Sequence, residues 1–290
     1  MHSQFSPHRA QRVDLPGRYG SIAALHAPAA GHDLGATALL VPGFTGSKED
    51  FAPLVDPIAE AGVEVVAIDL PGQHESPGPV VESDYRPEVL GAAVAELAAK
   101  LAAEGRRVLL LGHSFGGLVA RGAVLAGAPV AGLTLMSSGP SELPPGERRT
   151  ALDYGEVVLR EQGIEAAVQV HETRHALDPR WRLVPQELKD FYHERFVRSS
   201  PAGLLGMGEA LRTEPDLVAK LARVARSTGI PCLVVCGALD DAWSAASQRD
   251  MAERLDADFA VLPGVMHNPN TEAPDALLAT LLPTWRAWLS

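Results

Sequence analysis

Residues 107–119 read RVLLLGHSFGGLV. An apolar run, Val108 to Leu111, gives way to a hydroxyl, Ser114, set between Gly112 and the pair Gly116 and Gly117, and a second apolar run starts at Leu118. The first run reads as a strand covered on both faces and the second as the start of a helix, so the serine stands in the turn between them. GHSFG fits the spacing G-x-S-x-G, in which a nucleophilic serine occupies a strained strand-to-helix turn. The glycines follow from sterics, because side chains two residues to either side would collide across so tight a bend. Ser114 then projects from the carboxyl end of a sheet, above the positive N-terminus of the next helix. A glycine-rich turn whose serine only caps that helix is the simpler reading, and the strand before and helix after weigh against it.

Working outward, runs of the same kind recur: ATALLVPG at 36–43, VEVVAIDLPG at 63–72, VAGLTLMSS at 130–138, IPCLVVCGA at 230–238 and DFAVLPG at 258–264. Upstream of residue 107, YRPEVLGAAVAELAAKLAAEG places Leu90, Val94, Leu97 and Leu101 at helical spacing, with Gly105 as the stop. This alternation predicts an α/β fold with a mostly parallel, doubly wound sheet of about eight strands. RVDLP and SIAALHAP, on either side of Gly17 and Gly20, predict an antiparallel hairpin at one edge. After Ser138 the alternation stops. Residues 140–214 are charged, interrupted by Pro140, Pro144, Pro145, Pro179, Pro185 and Pro201, and lack strand-like runs. They read as an inserted helical cap, with 1–139 and 215–290 forming the core.

The net charge of −11, with Lys and Arg scattered, supplies no basic stripe for phosphates or anionic lipid. No segment approaches the ~18 apolar residues of a membrane span, and the N-terminus has no apolar leader core. The expected partner is a small molecule rather than nucleic acid or membrane, and the expected location is the cytoplasm. Cys232 and Cys236 are the two cysteines. On one strand, four residues at ~3.3 Å each hold them about 13 Å apart, beyond the ~7 Å a disulfide allows. Buried thiols suit a reducing compartment.

With the serine turn, the strand alternation and the insertion in place, the chain resembles the α/β-hydrolase superfamily over almost its whole length. That resemblance implies an esterase-like serine hydrolase with nucleophile, acid and histidine in that chain order. VVCGALDDAW resembles the loop after the seventh strand and picks Asp240 as the acid; Asp241 is the competitor, with a helix-capping charge as its alternative role. LPGVMHNPNTEAP resembles the loop after the eighth strand and picks His267. A serine hydroxyl needs a neutral imidazole to take its proton, and the imidazole needs a carboxylate to fix its tautomer. The oxyanion donors implied are the backbone N–H groups of Phe115 and of Phe44, the latter in LLVPGFTGSKEDF, where Pro42 stands in place of the family's usual histidine. DLPGQHESPG resembles a structural loop of the family, with His74 or Gln73 as possible pocket residues. His113, beside the nucleophile, points away from it in such a turn and reads as a packed or hydrogen-bonded histidine. In the cap, Phe191, Tyr192, Leu205 and Met207, with Leu183, Phe196 and Leu204, are candidates for the acyl or alcohol pocket, although helical spacing equally suits cap core.

A rival motif is HETRH at 171–175, which fits HExxH, with Glu194 at the spacing of a third zinc ligand. A solvated helix face with i,i+4 pairs explains it as well, and Pro179 and Pro185 interrupt the ligand set. The expectation is therefore an enzyme without metal or cofactor that cleaves a small or medium carboxylic ester through an acyl-enzyme on Ser114. Thioesterase, amidase, C–C hydrolase and lyase chemistry use the same constellation. A slow-turnover ligand receptor is a reading of another class.

Overall fold

The computed structural model describes residues 3–177 and 179–290. β1 (Gln11–Gly17) and β2 (Gly20–Ala27) form the antiparallel edge hairpin, and β2 also runs antiparallel to β4 (Glu64–Ile68). β3 (Ala36–Val41), β5 (Arg107–His113), β6 (Val130–Met136), β7 (Cys232–Gly237) and β8 (Asp258–Leu262) then extend the sheet by parallel pairings, β3 lying between β4 and β5. The strand order is β1-β2-β4-β3-β5-β6-β7-β8, an eight-stranded, mostly parallel sheet. The hairpin and all six apolar runs of the sequence are strands.

Successive side chains on a strand point to opposite faces, and the core divides accordingly. Leu39, Val41, Val108 and Leu110 face one layer, while Ala38, Leu40, Leu109 and Leu111 face the other. α1 (Ala52–Glu60) and α11 (Pro274–Leu289) cover the second layer; α2 (Pro87–Ala103), α3 (Phe115–Leu125), α8 (Val218–Thr228) and α9 (Ala245–Leu255) cover the first. Each Leu or Val buried there contributes about 1.5–3 kcal/mol. Cys232 and Cys236 are both buried thiols on β7.

Between β6 and β7 the chain forms α4 (Glu147–Gln162), α5 (Ile164–Ala176), a 3₁₀ turn (Pro179–Leu183), α6 (Gln186–Val197) and α7 (Pro201–Thr213). These helices share a small apolar cluster of their own: Val158, Leu159, Ala167, Val168, Phe196, Leu204 and Leu205. α7 faces two ways, because Met207, Ala210 and Leu211 belong to the main core. Phe44, in the loop after β3, touches both clusters. A short helix, α10 (Pro269–Glu272), follows β8. No helix of the described residues is long and apolar enough to cross a membrane.

Candidate active site

The loops at the carboxyl ends of β5, β7 and β8 meet over the sheet. Ser114, between β5 and α3, has φ 54° and ψ −121°, a region a β-carbon tolerates only under strain. Close approach enforces the glycines: a β-carbon on Gly112 would strike the Gly116 carbonyl, and one on Gly116 would strike the Val41 and Pro42 carbonyls. His267, after β8, lies with Nε2 2.9 Å from Ser114 Oγ and Nδ1 2.9 Å from Asp240 Oδ1. A carboxylate can only accept, so Nδ1 carries the proton and Nε2 is left to receive one from the serine.

Asp240 is saturated with donors. Oδ1 also accepts the Ala242 N–H (2.9 Å), and Oδ2 accepts Gln248 Nε2 (2.9 Å), which donates in addition to the Trp243 carbonyl. Burial works against its charge, but the His267 contact and these other hydrogen bonds hold the Asp240 carboxyl below the usual carboxylate range. Asp241, next in the chain, turns to solvent and accepts from Arg148 Nη2 of α4 at 2.7 Å.

Two positioning groups escaped the sequence reading. Glu272 of α10 accepts the backbone N–H groups on both sides of His267, Met266 at 2.7 Å and Asn268 at 2.9 Å, and so clamps the histidine loop. Gln248 stands eight residues after Asp240, on α9, in a sequence that looks like an ordinary polar helix face. His113 is buried, and its Nε2–H donates to the His267 carbonyl at 2.9 Å. Burial and then the neighbouring His267 push its pKa down, so it stays neutral, as a donor to a carbonyl with an unpartnered Nδ1 can.

The loop after β3 is held as firmly. The Gly43 carbonyl accepts Gln73 Nε2 (2.8 Å) and the Gly46 N–H (3.0 Å). In a trans peptide the following N–H points the opposite way, so Phe44 N–H faces away from Gln73. Among the described residues neither this N–H nor that of Phe115 has a hydrogen-bond acceptor. Beneath the loop, Lys48 is 1% and Asp69 0% exposed. The Lys48 N–H and Nζ both reach Asp69 (2.7 and 3.0 Å), and Nζ also reaches Glu49 (2.8 Å) and Glu75 (3.1 Å). Burial lowers the Lys48 pKa, yet Asp69 and Glu49 more than offset it; burial raises that of Asp69, the deepest of three carboxylates sharing one ammonium.

A cavity of about 1960 Å³ lies between the sheet and α4–α7; Ser114, His267, Phe44, Tyr192, Leu205, Leu183, Phe196 and Leu204 line it. Four expected pocket residues, Gln73, His74, Phe191 and Met207, stand outside that lining. His74 is buried under Ser199 and set edge-on to Phe191; Phe191 packs on Phe5 and under Arg195; Met207 faces Gln73 within the main core. The spacing of Phe191 on α6 and Met207 on α7 reflects packing.

HETRH falls on α5. His171 and His175 lie Nε2 to Nε2 at 3.0 Å on the cavity wall, but Glu172 binds His193 and Glu194 binds Arg198. Among the described residues the one group of three His, Cys, Asp or Glu donors close enough for a metal is Glu49, Asp69 and His74, and Lys48 Nζ sits against its two carboxylates.

A curated relative from Bacillus subtilis (strain 168), provisionally designated a 2-succinyl-6-hydroxy-2,4-cyclohexadiene-1-carboxylate synthase, is 25% identical over 241 residues, 80% of this chain and 84% of its own. A thermophilic esterase from Thermogutta terrifontis superposes with TM-score 0.74 at 22% identity, covering 97% of this chain and 100% of that one. MenH from S. aureus gives TM-score 0.74 at 19% identity over 92% and 99%. The description "Alpha/beta hydrolase family" matches residues 38–280, most of the sheet and all of the loops just described, and the chain belongs to that family.

Proposed function

We propose that the protein is a serine hydrolase that cleaves a small or medium carboxylic ester through an acyl-enzyme on Ser114. The observation that carries this reading is the hydrogen-bond chain Asp240–His267–Ser114, opening into the cavity. Ser114 Oγ attacks the ester carbonyl carbon while its proton passes to His267 Nε2. The imidazolium is stabilised by Asp240, and the oxyanion is met by the Phe44 and Phe115 N–H groups. Collapse expels the alcohol, which leaves with the proton from Nε2. Water then gives its proton to His267, attacks the acyl carbon and releases the acid, restoring Ser114.

Residues 140–214 act as a cap over this site, and 1–139 with 215–290 as the core. The cavity exceeds the ~300–1,000 Å³ common for small-ligand sites, leaving room for both sides of an ester. The esterase among the structural neighbours supports the class, and the buried thiols of β7 suit the cytoplasm. The test is turnover of p-nitrophenyl esters of graded length, with Ser114→Ala as control and fluorophosphonate labelling as the readout of the nucleophile. Cleavage that vanishes in Ser114→Ala, with one label per chain, supports the proposal. Tight binding without turnover would instead make the protein a receptor.

A further inference from the structure

Among the described residues the cavity wall carries four arginines: Arg148, Arg174, Arg195 and Arg212. Two are engaged by carboxylates of neighbouring elements, Arg195 by Asp50 (2.7 Å), and Arg212 by Glu156 and Glu209. The other two differ. Arg148, on α4, gives one Nη2–H to Asp241, while its Nε is buried without a hydrogen-bond partner. Arg174, on α5, has no ion-pair or hydrogen-bond partner among the described residues. The two guanidinium groups are near enough to act on each other: burial and then the like charge of Arg148 lower the Arg174 pKa, against the pull of Asp241 and Glu147. The pair adjoins the reaction centre, because Asp241 follows Asp240 and also feels the charge of His267.

Arg174 is exposed and Arg148 half-buried, and the two like charges line one concave wall with donors unspent, an arrangement that favours an anion between them. A guanidinium offers five N–H donors in a planar fork that fits a carboxylate through two parallel bonds. We propose that Arg148 and Arg174 form a recognition point for a carboxylate on the substrate, so that the preferred ester carries an anionic group. This rests on the hydrolase reading of Ser114 and names its substrate class. Glu147, exposed at the start of α4, is the competing acid; an incoming carboxylate displaces its influence on Arg174.

The experiment compares substrates within pairs: monomethyl adipate against methyl hexanoate, with the carboxylate on the acyl side, and 4-acetoxybenzoate against phenyl acetate, with it on the alcohol side. Each ratio of kcat/KM is corrected for the rate with hydroxide. The wild type is expected to favour the carboxylate member of one pair by about tenfold or more, the range of a charge-assisted contact. In Arg174→Gln that ratio collapses toward one, in Glu147→Gln it rises, and added salt reduces it in the wild type only. Reading the ratio inside each variant cancels any general loss of activity. Active enzyme with no preference in either pair, or a preference that survives Arg174→Gln, overturns the inference. If no ester is cleaved, the hydrolase reading fails and the anion site is read alone: adipate binding to Ser114→Ala by calorimetry, lost in Ser114→Ala/Arg174→Gln, supports it, and absent binding overturns it.

Discussion

The sheet core and the helical stretch between β6 and β7 are built by opposite rules. α3 buries ten of its eleven residues, whereas α4 buries two, Val158 and Leu159, and α5 two, Ala167 and Val168. Ion pairs follow the same division. Lys48–Asp69 lies under the core loops with both side chains at 1% exposure or less; Arg160–Glu82, which joins α4 to the core surface, is 45% and 40% exposed. The contrast teaches where each property is kept. Ser114, Asp240 and His267, the groups proposed to react, hang from loops locked by buried partners. The cavity wall formed by α4 and α5 buries few residues and carries Arg148 and Arg174.

The sharpest way to break this comparison is at the two adjacent aspartates after β7, one turned to His267 and the other to Arg148 of the helical stretch. Asp240→Asn should lower kcat by about 10³–10⁴-fold, because an amide presents the wrong partner to His267 Nδ1. Asp241→Asn, which only releases Arg148, should stay within about tenfold. Steady-state kinetics on one ester decides it, and equal losses would erase the distinction between core and wall. Stability gives the next largest effect. Lys48→Met strips the buried Asp69 carboxylate of its ammonium partner and should cost about 3–5 kcal/mol in urea unfolding. Arg160→Gln should cost less than about 1 kcal/mol, because its pair is exposed and screened. A smaller effect is expected from Glu272→Gln. It keeps the shape but weakens the two acceptor bonds around His267, so kcat should fall about tenfold with KM nearly constant, reflecting misplacement rather than lost binding.

The sequence was legible where local sterics dictate the structure. GHSFG announces its own turn, and the continuous apolar runs announce strands buried on both faces, so the sheet and the Ser114 turn could be read directly, while Asp240 and His267 were picked by the resemblance of their loops to those of the family. What escaped was set by tertiary meeting. Glu272 and Gln248 are polar residues on helices, and nothing local distinguishes a clamp on His267 or Asp240 from a solvated side chain. Phe191 and Met207 were expected to line the cavity because apolar and aromatic spacing on a helix marks a buried face but not what it is buried against, and His74 because its loop resembles one of the family's. Here that face meets Phe5, Arg195, Ser199 and Gln73. HETRH shows the same limit of spacing: it puts two histidines on one face of α5, but Glu194 is spent on Arg198.

The smallest expected effect tests whether the two regions unfold as one. His171, stacked on Phe196 and edge-on to His175, has its pKa pushed down to about 3, by burial first and then by the positive neighbours His175, Arg195 and Arg174. An unfolded histidine binds a proton near pH 6.5, so between that pH and about 3 the unfolded chain holds more protons than the folded one. Stability therefore rises with pH across this window and is lost as the pH falls from 6.5. By pH 5.5 His171 accounts for about 1 kcal/mol of that loss. His171→Phe keeps the stacking surface and removes the titration, so its unfolding free energy should decline about that much less than the wild type's between pH 7 and 5.5. If the flattening appears in global unfolding, the helices and the sheet melt together. If the global curve is unchanged and only amide exchange in α4–α6 loses its acid sensitivity, the helical region opens alone, and the wall of the cavity can remodel while Asp240, His267 and Ser114 stay in register.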